Sequence, residues 1–309
     1  MKLSIVATLY QSALYIEEFC YRASAAAQKV VGEDFEIILV NDGSPDNSLD
    51  VAVNLADNDS HVKVVDLSRN FGHHKAMMAG LDQSIGEKIF LIDSDLEEEP
   101  EWLISFFEQM STQKSDVVYG VQQERKGNWF ERWSGSAYYT ILNWLAHVHH
   151  PRNMVTARLM TRRYVDALLI HKEREIVISF LWIITGYKQC SQVVKKHMSS
   201  NSSYNLSRKL SHLINSVTSF SAAPLMMIFY SGVVIFCLSI LYAIFLVAQH
   251  FILARPVDGW TSIMVSIWVL GSMIISFIGV IGIYLSKVFS EIKQRPNVIV
   301  RDIYEKSKR

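Results

Sequence analysis

The stretch "FLIDSDLEEEPEW", residues 90–102, passes from apolar to acidic within a few positions. Phe90, Leu91 and Ile92 read as the end of a strand buried on both faces, because three consecutive apolar residues leave no side for water. Asp93, Asp95, Glu97, Glu98, Glu99 and Glu101 follow, with no Lys or Arg among them. In an open sheet of parallel strands, ligands gather beyond the carboxyl ends. Two carboxylates spaced i and i+2 on such a loop can converge on one hard cation, and Mg²⁺ or Mn²⁺ suits carboxylate oxygens. The competing reading is a solvated acidic loop that opens a helix near Trp102, where negative charge favours the N-terminus. Glu98, Glu99 and Glu101 are assigned to that role.

The neighbouring segments supply the rest of such a sheet. "LSIVAT" (3–8), "FEIILV" (35–40), "VKVVDL" (62–67), "KIFLI" (88–92) and "DVVYGV" (116–121) are strand-like runs. Ile16, Phe19, Cys20, Ala23, Ala27 and Val30 fall at helical spacing, as do Trp102, Leu103, Phe106, Phe107 and Met110. Ser44 and Pro45 predict a helix start after the second strand. Strands alternating with helices imply an α/β fold, a mostly parallel Rossmann-like sheet covered on both sides. Asp42 follows the second strand. The first turn, "ATLYQSALY", has no glycine, and neither GxGxxG nor GxxxxGK[ST] occurs. Phosphate charge must therefore be met by something other than a glycine cradle.

The chain has 309 residues, with 30 Lys plus Arg against 30 Asp plus Glu, so net charge points to no nucleic-acid partner. Cys20, Cys190 and Cys237 are scattered and read as reduced thiols. The opening "MKLSIVATLY" reads as a first strand, not a signal peptide. Near the other end, residues 224–248 and 262–286 carry no charged side chain. Each exceeds the ~20 apolar residues that cross a bilayer as a helix. Lys195, Lys196, Arg208 and Lys209 precede the pair, and Lys287, Lys293, Arg295 and Arg301 follow it. Positive charge on both outer flanks predicts a hairpin with both termini in the cytoplasm. The expected organisation is a catalytic domain over 1–204, an amphipathic juxtamembrane helix over 205–223, two transmembrane helices within 224–286, and a cytoplasmic tail over 287–309.

Four segments, in order, resemble the family-2 glycosyltransferases of the polyprenyl-phosphate type, such as dolichol-phosphate-mannose synthases and bactoprenol glucosyltransferases. They are "VNDGSPDNS" (40–48), "LSRNFGHHKAMMAGL" (67–81), "LIDSDLEEEPE" (91–101) and "TSFSAAPL" (218–225). The resemblance implies a GT-A fold and inverting transfer of a sugar from a UDP- or GDP-linked donor to a polyprenyl phosphate, with undecaprenyl phosphate expected in a bacterium. It implies Mg²⁺ or Mn²⁺ held by Asp93, Asp95 and Glu97, and donor contacts from Thr8, Tyr10, Asp42, Arg69, Asn70 and Asp93. It assigns catalysis to Asp93, Asp95, Arg125, Arg132 and Arg158, with Arg125 and Arg132 on the acceptor phosphate. It further implies a multi-pass protein of the inner membrane that serves cell-envelope polysaccharide. The lipid bilayer is then a partner, and a homo-oligomer is compatible with the reading.

This chain departs from the family pattern at several points. Relatives carry Pro-x-Tyr-Asn-Glu in the first loop, where Thr8-Leu9-Tyr10-Gln11-Ser12 stands here. They carry an Asp-Phe-Arg-Leu-like stretch where "TARL" (156–159) stands, so no Asp is available as a general base. A phosphate monoester, with a second pKa of about 6, is largely dianionic at neutral pH and can attack without one. "NWFERW" (128–133) lacks the Gln of processive synthases, and His147, His149 and His150 lack the partners of a zinc site. His73 and His74 read as the edge of the donor pocket or as surface. The alternative function is a membrane-anchored scaffold that binds a nucleotide sugar with weak or no transfer.

Overall fold

The computed structural model describes residues 1–122, 153–174, 177–196, 223–253 and 259–306. Residues 1–139, 148–203 and 295–309 belong to one compact unit, and 140–147 with 204–294 belong to a second.

The first unit is built on one eight-stranded sheet. β1 (Leu3–Leu9), β2 (Phe35–Asn41), β3 (Val62–Leu67) and β4 (Lys88–Leu91) lie parallel in the order β4-β1-β2-β3. Every residue of β1 and β2 is buried. Because side chains alternate across a strand, Leu3, Ile5, Ala7 and Leu9 enter one core and Val6 the other. α1 (Ile16–Val31), α2 (Ser48–Asn58) and α4 (Trp102–Gln113) cover the first face. α3 (His73–Gln83), α5 (Arg162–Leu169) and α6 (Ile178–Ile184) cover the second. Phe106 of α4 meets Phe90 of β4 edge to face, with centroids 6.0 Å apart. That contact fixes where the acidic loop between them leaves the sheet.

The sheet is mixed rather than mostly parallel. β6 (Met154–Thr161) inserts antiparallel between β4 and β5 (Val117–Gln122), and β7 (Gln189–Val194) pairs parallel with β5. At the opposite edge, β8 (Val300–Glu305) pairs antiparallel with β3. Part of the expected tail is therefore a strand of the catalytic sheet. α2 begins at Ser48 and not at Pro45, because Ser44 is committed to a turn. Its hydroxyl donates to Asp46 and accepts the amide of Gln11.

The second unit contains α7 (Ala223–Leu253) and α8 (Trp260–Ile292), which touch each other. Within α8, Val269–Ile292 has the length and mean hydropathy (2.1) of a membrane span. Its apolar side chains, Ile275 and Leu285 among them, are exposed. In α7 the described apolar stretch is Leu225–Ile235, which alone is too short to cross. The expected two-span hairpin is thus represented by one qualifying helix among the described residues. The expected helix over 205–223 lies almost entirely outside them.

Candidate active site

The carboxyl ends of β1, β2 and β4 converge on one another. Thr8, next to last in β1, places its Oγ1 3.0 Å from Nδ1 of His73, the first residue of α3. The other ring nitrogen, Nε2, lies 3.3 Å from Asp93 Oδ1. Burial works against the His73 imidazolium, but the Asp93 carboxylate outweighs it and pushes the His73 pKa up. Burial likewise opposes the Asp93 charge, and His73 and the Thr156 hydroxyl reverse that and hold its pKa down. Ser94 donates to Thr8 O at 2.8 Å and so pins the acidic loop to β1.

Asp42 is buried directly after β2. Its Oδ1 accepts the amide of Phe71 at 2.7 Å and its Oδ2 that of Gly72 at 3.0 Å. Burial pushes its pKa up against those two donors. The segment it holds contains Arg69 and Asn70, both exposed. The Arg69 guanidinium lies over the Phe71 ring, 4.1 Å from its centroid. Gly43 adopts φ 59°, and a Cβ there would stand 2.4 Å from Asn70 N. Only glycine lets the 42–44 turn lie so close to the 69–70 backbone. Tyr10 sits half exposed on the loop after β1.

The acidic loop divides into two functions. Asp95 accepts the Glu97 amide at 3.0 Å in a local turn, and burial raises its pKa. Asp93 Oδ1 is buried and makes no hydrogen bond, the His73 ring nitrogen at 3.3 Å being its ion-pair partner. Glu97 lies 3.0 Å from Lys196, which follows β7. Glu98 does not belong to a solvated helix start. It is fully buried, and it accepts the amides of Thr156 at 3.0 Å and Ala157 at 2.8 Å. Lys196 lies 3.7 Å from it, and burial and the Asp93 charge push its pKa up to about 7. Nothing in an acidic run marks one glutamate for burial; the two amides that require it belong to β6. Lys196, which the sequence offered only as a flanking charge, is a counterion of this cluster. Among the described residues no three side chains form a ready-made metal cage.

Arg158 is also fully buried. Its guanidinium stacks on the Trp182 ring and donates to Thr156 O and Val155 O of its own strand. Burial lowers its pKa to about 9, and its Nη1 has no hydrogen-bond partner. Arg125, Arg132, His147, His149 and His150 lie outside the described residues.

The model of glycosyl transferase family 2 matches residues 4–170. A Mycobacterium tuberculosis protein named as a glycosyltransferase of unproven activity is 47 % identical over 304 residues, which cover 98 % of this chain and 89 % of that one. The bactoprenol glucosyl transferase of Shigella phage SfV is 28 % identical over 309 residues, covering 99 % of this chain and 100 % of that one. Among solved structures, the mannosyltransferase PcManGT of Pyrobaculum calidifontis, in complex with GDP-Man and Mn²⁺, superposes with a TM-score of 0.50 at 14 % identity. The overlap covers 71 % of this chain and 63 % of that one, and the likeness is one of fold.

Proposed function

The chain belongs to glycosyl transferase family 2 and is a glycosyltransferase; from that premise we propose that it loads one sugar onto a polyprenyl phosphate at the cytoplasmic face of a membrane. The donor is a UDP- or GDP-linked sugar. A phosphate oxygen of the acceptor attacks the anomeric carbon. The anomeric C–O bond to the diphosphate breaks, the nucleoside diphosphate leaves with the electron pair, and configuration inverts. A dianionic acceptor has no proton to lose, which suits a site where Thr156 and Ala157 stand in place of a base. Full-length similarity to a bactoprenol glucosyl transferase supports the acceptor class.

The observation that carries the reading is Asp93, beyond the end of β4 and two residues before Asp95: its buried Oδ1 makes no hydrogen bond and has the His73 ring nitrogen 3.3 Å away. A buried anionic oxygen met by one ionisable imidazole and no close hydrogen bond is costly, and a divalent cation relieves that cost. The residues therefore fit such an ion. Asp93 and Asp95 would hold Mg²⁺ or Mn²⁺, with Glu97 as a further contact once freed from Lys196. The missing third cage residue fits Mg²⁺, which is usually held by one or two carboxylates plus substrate phosphates. When bound, the cation would offset the charge of the departing diphosphate. Thr8, Tyr10, Asp42, Arg69 and Asn70 form the donor side, and His73 orients Asp93 toward it. Arg125 and Arg132 take the acceptor phosphate. Arg158, with no route to solvent, acts as a positioning residue for β6.

The same reading takes the chain across the membrane twice, and chain continuity supports an even number of crossings. Residues up to 203 and from 295 onward share one unit, joined by β3 and β8. The chain between must return to the side it left, so it crosses an even number of times. Val269–Ile292 supplies one crossing, and the uncharged run 224–248 within α7 supplies the other. The test is to incubate the full-length protein with undecaprenyl phosphate, Mg²⁺ or Mn²⁺, and a panel of UDP- and GDP-sugars, reading the lipid by mass. A gain of one hexose on the lipid phosphate is expected. Transfer to water alone with every donor, or repeated additions to one lipid, would overturn the proposal.

A further inference from the structure

β8 does more than close an edge of the sheet. Its residues reach the segment that Asp42 holds. The Ser68 amide donates to Ile299 O at 2.9 Å, and Arg301 Nη2 donates to Ser68 O at 2.8 Å. Both backbone groups of Ser68 are thus fixed by chain that follows α8. Arg301 Nη1 also lies 3.4 Å from Oδ2 of Asp66, a carboxylate only 1 % exposed whose Oδ2 has no hydrogen bond. The strand register sets Asp302 opposite Asp66 and shifts between Asp66 and Leu67. Like charges facing each other across strands repel, and Arg301 offsets the Asp66 member of that pair.

From Asp66 the contacts run inward. Asn41 donates to Asp66 Oδ1 at 2.8 Å, and its own Oδ1 accepts the amide of Ser44 at 3.2 Å. Asn41 adjoins Asp42, and the turn at Gly43 lies against Arg69 and Asn70. β8 therefore grips the 68–72 segment from one side while Asp42 grips it from the other.

We propose that Arg301 is a positioning residue of the donor site: through Ser68 and Asp66 it holds the Ser68–Gly72 segment in the form that receives the nucleotide. Donor affinity then depends on chain that lies beyond the membrane segment in sequence. This rests on the reading of Asp42, Arg69 and Asn70 as donor contacts. A merely structural strand would lend stability to the whole sheet; Arg301 instead donates to Ser68, the residue before Arg69, while pairing with Asp66.

The experiment uses the full-length protein with Arg301→Ala, Arg301→Lys and, as a control on the same edge, Lys306→Ala, whose ammonium bonds to Asn58 O. Hydrogen exchange is read at the Phe71 and Gly72 amides, and UDP and GDP affinities are measured with Mg²⁺ by calorimetry. Arg301→Ala should speed exchange at those two amides and weaken nucleotide binding, each by about tenfold, while β1 amides stay protected. Arg301→Lys should restore part of both, since it keeps the charge near Asp66 but loses the fork. Lys306→Ala should change neither. Unchanged exchange at Phe71 and Gly72 in Arg301→Ala, or an equal rise across the sheet, overturns the proposal. If the unmutated protein binds neither nucleotide, the donor reading falls. The exchange data alone then decide whether Arg301 orders the segment.

Discussion

Glu98 Oε2 accepts the amide of Ala157 at 2.8 Å, and its other oxygen accepts the Thr156 amide at 3.0 Å. One carboxylate thereby ties the acidic loop to β6. Glu98→Gln should destabilise the protein although it keeps size and shape. A glutamine offers one acceptor and one NH₂ group, so one of the two amides would face a donor. A buried donor left unsatisfied costs about 1–3 kcal/mol. Denaturant midpoints measure this; a Gln variant as stable as the original would show that the two amides do not depend on the charge.

Lys196 lies 3.0 Å from Glu97 and 3.7 Å from Glu98. Burial works against its ammonium, but Glu98, Glu97 and Asp93 outweigh it and push its pKa up. Without a divalent ion it is the nearest offset to the acidic cluster. Lys196→Met should lower cation-free stability by about 1–3 kcal/mol, between the values for exposed and buried pairs. Added Mg²⁺ should then recover more stability than in the original protein. Thermal melts with and without Mg²⁺ test both signs, and an Mg²⁺ increment no larger than the original's would contradict the counterion role.

Asp95→Asn should cut turnover by at least about 100-fold, because even outer partners of metal ligands are worth about 10–100-fold. The fold should survive, since the bond Asp95 makes to the Glu97 amide closes a local turn that an amide oxygen can still accept. Normal Mg²⁺-dependent rates in a folded variant would move the cation elsewhere.

The loop after β2 predicts an acid-labile contact. Asp46 is slightly desolvated, which opposes its charge, but the Ser44 and Ser48 hydroxyls and the Ser48 and Ala13 amides hold its pKa down at about 2. The folded value lies below the unfolded one near 3.8. Its stabilisation is therefore complete above pH ~4 and lost as pH falls toward ~2. Asp46 is exposed, so solvent screening leaves about 1 kcal/mol. Asp46→Ala should flatten that part of the stability curve between pH 5 and pH 2, as followed by circular dichroism. An unaltered acid limb would show that the bonds contribute nothing.

Much of the fold was legible because β1 to β5 are short apolar runs bounded by turns and helical patterns, and a local reading captures them. β6 was not, since Thr156 and Arg158 interrupt "MVTARLMT" and only its pairing with β4 and β5 makes it a strand. β8, "VRDIYE", is mostly exposed and polar, and its partner β3 lies at the far end of the sequence. In the site, Asp42, Asp93 and Asp95 could be found because they fall at strand ends, where this class of sheet binds ligands. Glu98 could not be told from Glu99 until the Thr156 and Ala157 amides were in place. His73 reads as pocket edge or surface for the same reason: its two partners, Thr8 of β1 and Asp93 beyond β4, lie far from it in sequence.

The remaining prediction concerns the position before Arg158, where Thr156 and Ala157 stand. An acceptor alcohol, with a pKa far above 7, needs a carboxylate or imidazole positioned to take its proton. Thr156 and Ala157 supply none, Glu98 is fully buried with both oxygens occupied by backbone amides, and His73 sits between Thr8 and Asp93. A polyprenyl phosphate should therefore be glycosylated while the matching polyprenol is not. Below the second phosphate pKa of about 6 the acceptor gains a proton and becomes a weaker nucleophile. The rate should thus fall as pH drops through about 6, and the inflection should follow the lipid when a phosphonate of higher pKa replaces the phosphate. Rates on the three lipids across pH, at saturating donor and Mg²⁺, separate the cases. Efficient transfer to the alcohol, or an inflection that stays fixed when the acceptor pKa changes, would mean that an enzyme group takes the proton after all.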